Sequence, residues 1–547
     1  MYARDSIQVK DFEKKTSSQK NNNNERSWLL DLFGTILPSS PRTRSHENDS
    51  SSWFRNFFRT TGIISTSGLG PMGQFLEKPK VEKSPEKGKN DDVRYGLSHM
   101  QGWRADMEDA HGAILRLDDN RWSRWSYFGI FDGHAGKNVA ILGAQRLHTR
   151  ILQSLNNMIN LEHSKASGSA HNNQQPYVTS SQFDFLKFEA AIKDAYYKFD
   201  AELRDELRNQ SSEDKSGSTA ISCLIDPERI YFLNVGDSRA ILVSTDGRIL
   251  MATKDHKPSD HAERQRITEA GGTVLIQRVN GSLAVSRALG DFEYKNNSSR
   301  RPEQQLVSPE PEITQYVRSL PAGQESKTGT NKHQNSQQDE QPAFIVLACD
   351  GIWDVITNEE LGAYILGRMH VTDDLESICN QVLDMCLYKG SKDNMSVIII
   401  AFKNAPTPNP EMQNKDHILD ENIRQKTTEL YHKVQKQNLD SLWQQVVTSL
   451  NETAANREAL PASGGFISKR YVFEQQYAIE QNAQNVQRNT VPCATAITYP
   501  NLRATEAIDD ELVNNNGTRL RTSSSPPSMD TNNDIASPSS TISNLIE

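Results

Sequence analysis

Short apolar runs bounded by Gly, Asn and Asp recur along the chain between about residue 72 and residue 403. Runs of this length, with turn residues at both ends, are typical of β-strands buried in a sheet. Strands are predicted at residues 95–100, 113–117, 126–131, 218–225, 229–235, 240–243, 344–349 and 395–402. Apolar residues at three- and four-residue spacing predict amphipathic helices at residues 137–157, 183–208, 260–270, 358–369 and 373–388. The pattern therefore predicts one domain of mixed strands and helices.

The composition of the chain predicts four parts. Residues 1–71 are polar and are expected to form a disordered N-terminal extension, and residues 72–403 form the main domain, with a polar insertion at residues 323–341. Beyond it, helical spacing without strand patterning predicts a small helical appendix at residues 404–480. Residues 481–547 are rich in Ser, Asn and Pro and are expected to be a disordered tail, which agrees with a mean hydropathy of -0.67.

Charge and cysteine usage limit the partners and the compartment. A net charge of -9 and a pI of about 5.9 argue against nucleic-acid binding. Apolar runs stay well short of the roughly 20 residues that span a bilayer, so no transmembrane segment is expected. Five scattered cysteines without CxxC spacing favour a reducing compartment, the cytoplasm or the nucleus. The aromatic patches within residues 28–64 leave open a membrane contact, beside the alternative of a disordered arm.

Acidic residues stand repeatedly at the ends of the predicted buried strands. Asp132, Asp237 and Asp350 each follow such a strand, and Asp393 precedes the last one. A further acidic cluster, 106–109, lies ahead of another strand. If neighbouring strands are antiparallel, an acid that ends one strand and an acid that begins the next share one edge of the sheet. Surface turns that happen to be acidic account for one or two of these positions, but less well for all of them.

Carboxylates gathered at one edge would repel one another unless cations lie between them. An all-oxygen set of ligands selects hard cations such as magnesium or manganese rather than zinc. Paired hard cations favour in-line attack of water on phosphorus. Arg104 is placed to grip a phosphate with its planar fork, and His134 is placed to protonate a leaving oxygen near neutral pH. The residues therefore indicate a metal-dependent hydrolase that acts on phosphate esters.

Eight ordered motifs resemble the metal-dependent protein phosphatases of the 2C family, closest to the animal alpha/beta type. The motifs are RYGLSHMQGWRADMED at 94–109, FDGHAG at 131–136, SGSTA at 216–220, VGDSR at 235–239, DHKPS at 255–259, RVNGSLAVSRALGD at 278–291, LACDGIWD at 347–354 and SKDNMSV at 391–397. The resemblance implies an α+β fold, an α-β-β-α sandwich of two antiparallel sheets flanked by helices, with the helical appendix behind it. It also implies a signalling enzyme that removes phosphate from phosphoserine and phosphothreonine in proteins.

The same resemblance implies a binuclear manganese or magnesium site at one edge of the sandwich, with room for a third, weaker ion. Asp132 is expected to bridge both metals, and Gly133 to bind one of them through its carbonyl. Asp350 and Asp393 are expected to complete one coordination shell, and Glu108 to act through a coordinated water molecule. The other matched positions are Arg104 for the phosphate, His134 as general acid, Asp237 and Asp354 for the third ion, Asp109, Thr219 and Asn394 in support, and Arg278 in a flap beside the site.

Two rival functions agree less well with these residues. A cysteine phosphatase needs a glycine-rich phosphate cradle between its Cys and its Arg, but the segment from Cys223 to Arg229 has no glycine and two acids. A catalytically silent, phosphatase-like scaffold that binds phosphoproteins predicts the loss of a metal carboxylate, and none is missing. Acylation of Gly73 would require initiation at Met72 and meets Glu77 where the acceptor pattern has Ser or Thr. Phosphoprotein substrates and a monomeric state are expected.

Overall fold

The computed structural model describes residues 75–165, 177–210, 214–318, 341–433 and 438–490. The expected N-terminal extension, the polar insertion up to residue 340 and the tail beyond residue 490 lie outside these ranges. Within them, no helix is both long enough and apolar enough to cross a membrane.

Antiparallel strands make up the centre of the molecule. In chain order they are β1 (Phe75–Lys83), β2 (Glu86–Lys89), β3 (Val93–Arg104), β4 (Ala110–Ile114), β5 (Ser126–Phe131), β6 (Gly133–His134), β7 (Gly217–Ser218), β8 (Ala220–Ile225), β9 (Arg229–Val235), β10 (Arg239–Ser244), β11 (Ile249–Ala252), β12 (Val274–Leu275), β13 (Arg278–Val279), β14 (Leu289–Gly290), β15 (Glu312–Val317), β16 (Pro342–Ala348) and β17 (Met395–Phe402). Their helices are α1 (Asn138–Lys165), α2 (Phe185–Gln210), α3 (His261–Glu269), α4 (Asp350–Trp353), α5 (Asn358–Met369), α6 (Leu375–Lys389), α7 (Pro410–Lys433), α8 (Leu439–Asn451), α9 (Ala454–Glu458) and α10 (Arg470–Thr490).

Two of the sheets face each other. The seven-stranded sheet has the order β1-β3-β17-β16-β10-β11, with β2 also paired to β3, and the five-stranded sheet has the order β15-β9-β8-β5-β4. Strand β17 shows why the chain folds this way, because all of its residues are buried. Val397 and Ile399 pack into the core under α5 and α6, while Ile398 and Ile400 pack into the core between the sheets. A strand covered on both faces reads as a continuous apolar run rather than as an alternating one.

Helices α1 and α2 cover the outer face of the five-stranded sheet. Their buried side chains form one core with Tyr127, Phe131 and Leu224 of that sheet. Helices α5 and α6 cover the seven-stranded sheet in the same way. The predicted α-β-β-α sandwich is therefore confirmed.

The sequence pattern failed at the edges of the sheets. Strand β1 was not predicted, because its sequence FLEKPKVEK is mostly charged and its side chains are mostly exposed, so it carries little apolar signal. Pairing with β3 creates this edge strand, and the pairing contains register shifts. The strand expected at residues 113–117 lies at Ala110–Ile114, three residues earlier, where it pairs with β5.

The C-terminal helices have an apolar core of their own, in which Leu419, Trp443 and Phe473 are buried. A buried network of charges connects them to the sandwich. Arg368 of α5 and Lys469 both bond to Asp416 of α7, and Lys469 also lies 2.7 Å from Asp420. The predicted helical appendix is confirmed, and its last helix, α10, runs to Thr490, ten residues past the expected boundary.

A small subdomain, residues 261–308, lies in the sequence between β11 of the seven-stranded sheet and β15 of the five-stranded sheet. It contains α3 and the hairpin β12–β13 and has its own core around Ile267, Val279 and Val307. Glu263 of α3 is buried and binds both Arg266 and Arg287 at 2.7 Å. This carboxylate ties α3 to the chain that leads toward Gly290.

Replacing Glu263 with glutamine should remove a pH-dependent part of the stability of this subdomain. Burial alone would raise the pKa of Glu263, but the bonds and charges of Arg287 and Arg266 outweigh it and lower the pKa to about 2 from an ordinary 4.5. A lowered pKa stabilises the fold above the unfolded value, and the stabilisation disappears as the pH falls through the folded value. Urea denaturation measures the free energy of unfolding of the wild type and of Glu263→Gln. The difference between the two proteins should be larger at neutral pH than near pH 2, by up to about 3 kcal/mol. A difference that does not change with pH would contradict this assignment.

Candidate active site

Both sheets bring acidic residues to the same end of the sandwich. Asp132 directly follows β5 of the five-stranded sheet, and Asp237 follows β9 two residues after Val235. Asp350 begins α4 two residues after the end of β16, and Asp393 lies two residues before β17. Because β16 and β17 are antiparallel, with Ala348 opposite Val397, the end of one strand lies beside the start of the other. The expected convergence of the strand-ending acids is present in the fold.

The acids in this cluster influence one another's ionisation. Burial raises the pKa of Asp132 well above its ordinary value, and the charges of Asp350, Asp109, Asp237 and Asp393 raise it further. Burial likewise raises the pKa of Asp350 well above its ordinary value, reinforced by Asp237 and Asp393. Carboxyls packed this closely do not all ionise near neutral pH unless a cation compensates their charge.

Asp109 belongs to the same cluster. Its Oδ2 accepts a hydrogen bond from the Ser396 hydroxyl at 2.7 Å, while its Oδ1 is buried without a hydrogen-bond partner. Burial raises the pKa of Asp109 to about 7 despite the Ser396 bond. Ligand atoms of Asp109, Asp132 and Cys349 lie within 4.8 Å of one another. A buried carboxylate oxygen without a hydrogen-bond partner is expected where a cation binds.

Cys349 does not turn the cluster into a site for soft metals. Its sulfur accepts a hydrogen bond from the Ser396 amide at 3.1 Å and donates one to the Asn394 carbonyl. Burial raises the pKa of this thiol well above its ordinary value, and the charge of Asp109 adds to the shift. The thiol therefore stays neutral and occupied, and the donors left for a cation are carboxylate and carbonyl oxygens. That set fits manganese or magnesium.

The loop after β5 is packed against Glu108. A Cβ at Gly133 would lie 2.3 Å from the Glu108 carbonyl oxygen, so only glycine fits there. Glu108 Oε1 in turn accepts a hydrogen bond from the Gly136 amide at 2.8 Å. Ala135 and Gly136 both have positive φ, at 54° and 125°. This tight turn holds Glu108 against the backbone of the segment that follows Asp132.

Arg104 reaches the cluster from the end of β3. Its Nη2 donates to Asp393 Oδ2 at 2.6 Å, and the Arg104 side chain remains 38% exposed. The neighbouring Lys392 ammonium lies 3.8 Å from the centre of the Trp103 ring, which joins the same two chain segments a second time. A partly exposed guanidinium fixed beside the acids can present its remaining donors to a phosphate.

His134 is held by a residue that the sequence analysis did not select. The ring Nε2 lies 2.7 Å from Oδ2 of Asp291, which is buried. Burial alone would lower the pKa of His134, but the Asp291 carboxylate outweighs it and raises that pKa. The signal was available, because Leu289-Gly290-Asp291 repeats the Val235-Gly236-Asp237 pattern of a strand, a glycine and an acid. Its pairing with His134 was not visible.

Asp237 already has a cation beside it. Lys257 Nζ lies 2.5 Å from Asp237 Oδ2, and Asp237 is 4% exposed. Partial burial raises the pKa of the Asp354 carboxyl, and the Lys257 ammonium opposes part of that rise. Lys257 was missed by the sequence analysis, although it stands in the DHKPS motif. At the place expected for a third ion, a lysine contributes the compensating charge.

Thr219 and Asn394 position other residues of the site. The Thr219 amide donates to the Asp132 carbonyl at 3.0 Å, and its hydroxyl oxygen accepts from the Asp132 amide at 3.3 Å. The Asn394 side chain donates to the carbonyls of Gln101 and Asp106 and accepts from the Glu108 amide at 2.9 Å. Each of the two therefore holds a cluster residue through its backbone.

Arg278 is not brought into the cluster. It is exposed on the hairpin β12–β13, and its guanidinium donates to the Ser282 carbonyl at 2.7 Å. The structure therefore brings together every predicted site residue except this one, with Asp354 at the exposed margin.

Known proteins share these features of sequence. Residues 93–395 match the family model described as Protein phosphatase 2C, and residues 396–478 match the one described as Protein serine/threonine phosphatase 2C, C-terminal domain. The chain is 41% identical over 407 residues to Protein phosphatase 1B of Mus musculus, covering 74% of this chain and 94% of that protein. It is 43% identical over 406 residues to Protein phosphatase 1A of Bos taurus, covering 74% and 95%. Among solved structures it is similar to the crystal structure of a phosphatase from a pathogenic strain of Toxoplasma gondii, with 22% identity, a TM-score of 0.44, and coverage of 59% of this chain and 96% of that one.

Proposed function

The chain belongs to the protein phosphatase 2C family and is a phosphoprotein phosphatase, and on that basis we propose that it hydrolyses phosphoserine and phosphothreonine esters at the acidic cluster. Asp132, Asp350 and Asp393, with the carbonyl of Gly133 and with Glu108, would hold two manganese or magnesium ions. Such ions, when bound, activate water and neutralise charge on the phosphate oxygens. The observation that carries the proposal is the buried convergence of Asp132, Asp350 and Asp109, whose carboxyls need a cation to ionise together.

The remaining side chains divide the work of binding and proton transfer. Arg104, anchored on Asp393, grips the phosphate and aligns it with the acids. His134, anchored on Asp291, gives a proton to the seryl or threonyl oxygen as the ester bond breaks. An alkoxide is a poor leaving group, so this proton is needed most for the natural esters. Asp109 and Asn394 hold their neighbours in place, and Lys257 compensates the charge of Asp237.

A silent scaffold is not favoured by any feature of the site, because no carboxylate that metal binding needs is missing from the sequence. Burial and mutual repulsion raise the pKa values of Asp132 and Asp350, as expected where a cation is needed. The decisive experiment measures phosphate release from a phosphothreonine peptide by the full chain with manganese, and then with chelator. A separate binding assay follows manganese by electron paramagnetic resonance. Turnover that requires the metal supports the proposal. Manganese binding without turnover would overturn the hydrolytic function, and absence of binding would overturn the assignment of the cluster.

A further inference from the structure

We propose that Asp291 is a positioning residue for His134, which fixes the imidazole so that Nε2–H donates to Asp291 and Nδ1 is the ring nitrogen that serves the substrate. This inference rests on the proposed function, because it specifies how the general acid of that reaction is oriented. The direct observation is the distance of 2.7 Å between Nε2 of His134 and Oδ2 of Asp291. An imidazole has only two nitrogens, so a bond at Nε2 leaves Nδ1 for the leaving oxygen.

A three-stranded sheet, β14-β7-β6, builds this contact. His134 of β6 lies opposite Gly217 of β7, and Gly217 also lies opposite Gly290 of β14. The middle position has no side chain, so groups from the two outer strands can meet across it. A Cβ at Gly217 would lie 2.3 Å from Asp291 Oδ2 and 2.4 Å from His134 Nε2. The glycine at this position therefore makes room for this pair of side chains.

The backbone of Asp291 is held in an uncommon conformation to make the contact. Asp291 has φ 52° and ψ 43°, in the left-handed region, which few residues other than glycine adopt. Its amide donates to the Ser216 carbonyl at 3.2 Å, one residue before Gly217. A strained residue persists only where its surroundings determine it, and such residues concentrate at functional sites.

A buried ion pair holds the backbone around Asp291 in this conformation. Asp200 of α2 accepts hydrogen bonds from the Gly290 amide and from Lys295 Nζ, both at 2.8 Å. Lys295 also donates to the Ala288 carbonyl at 2.8 Å. Both charged side chains are almost fully buried, at 8% and 2% exposure. The pair therefore clamps the segment on both sides of Asp291, and α2 fixes where the carboxylate meets His134.

The orientation has a defined chemical role. With Nε2–H held by Asp291, the proton on Nδ1 passes to the leaving oxygen while the bond from phosphorus to that oxygen breaks, and the ring is left as the neutral Nε2–H tautomer. A freely rotating ring would spend part of its time with neither nitrogen directed at the ester. Loss of an orienting partner of this kind typically costs about 10- to 100-fold.

The test compares Asp291→Asn with wild type on a phosphothreonine peptide and on p-nitrophenyl phosphate. Asparagine tolerates the left-handed conformation, so the fold should survive. We expect kcat on the peptide to fall by about 10- to 100-fold, with a smaller loss on the phenyl ester, whose leaving group needs little protonation. KM and the affinity for manganese should not change. Combined with His134→Gln, the Asp291→Asn change should cause no further loss on the peptide.

A readout without turnover separates this inference from the proposed function. In the metal-free protein with ¹⁵N-labelled histidine, at a pH where the ring is neutral, NMR should show His134 as the Nε2–H tautomer, and Asp291→Asn should remove that preference. The matched control is Glu293→Gln, an exposed carboxylate in the next turn of the chain, which should leave both readouts unchanged. Equal losses on both esters, additivity with His134→Gln, or an Nδ1–H tautomer in wild type would overturn the positioning role. If wild type shows no metal-dependent turnover but has the Nε2–H tautomer, the proposed function fails and the orientation stands.

Discussion

The Asp350→Asn variant should lose nearly all metal-dependent hydrolysis of a phosphothreonine peptide, by more than the roughly 100-fold that loss of an outer-shell partner can cost. Asp350 lies among Asp132, Asp237 and Asp393, and burial together with the charges of its acidic neighbours raises the pKa of its carboxyl well above the ordinary value. An amide keeps the shape of the side chain but removes a negative charge, which weakens the attraction for a divalent cation. Turnover should be measured over a manganese titration, because higher manganese should restore part of the activity.

The control for this substitution is Asp119→Asn. Asp119 is 92% exposed and lies in the loop that precedes β5. The substitution therefore makes the same chemical change away from the acidic cluster. Its activity and its manganese requirement should equal those of wild type. If Asp350→Asn retained wild-type turnover at limiting manganese, Asp350 would not be a metal ligand.

Replacing His134 with glutamine should slow hydrolysis of the phosphothreonine peptide by about 100- to 10,000-fold, the usual contribution of a positioned general acid. The loss should be much smaller with p-nitrophenyl phosphate, since a phenolate leaves without needing a proton. Glutamine keeps a polar group next to Asp291, so the segment from β14 should keep its place. Manganese affinity should stay at the wild-type value, because His134 is assigned no metal.

The ratio of the rate on the phosphothreonine peptide to the rate on p-nitrophenyl phosphate tests whether His134 is a general acid. A general acid predicts that the peptide rate falls far more than the phenyl ester rate. If both fell equally while manganese still bound, His134 would act on the binding of the phosphate rather than on its leaving group.

Parts of the fold with a strong local signal were predicted to the residue. The last strand, β17, and helix α5 have the predicted bounds, because one is an unbroken apolar run and the other begins at a capping box in which Thr357 accepts from the Glu360 amide at 3.2 Å. Strands β1 and β15 were missed, because edge strands gain their structure from a neighbour's hydrogen bonds rather than from an apolar pattern. Asp132, Asp350 and Asp393 could be selected as candidate metal ligands because each lies next to such a strong strand.

The side chains that support the site could not be selected in the same way. Lys257 and Asp291 act through one contact each, with Asp237 and His134, and no local periodicity marks such pairs. Arg278, expected in a flap beside the site, lies on the exposed hairpin β12–β13 outside the acidic cluster. Lys257 and Asp291 depend on long-range pairing, which a local sequence pattern does not contain.

The sheet of β6, β7 and β14 also affects how the enzyme loses activity on unfolding and regains it on refolding. The contact between His134 and Asp291 joins residues 157 positions apart in the sequence. Closing such a long loop costs chain entropy that local contacts do not offset. Each of its strands is only two residues long, so it has little cooperativity of its own and depends on the cores around it. Detachment of any one segment would break the contact between His134 and Asp291 while most of the helices and strands persist. On the proposed mechanism, the rate on alkyl phosphates is therefore a more sensitive report of native structure than circular dichroism.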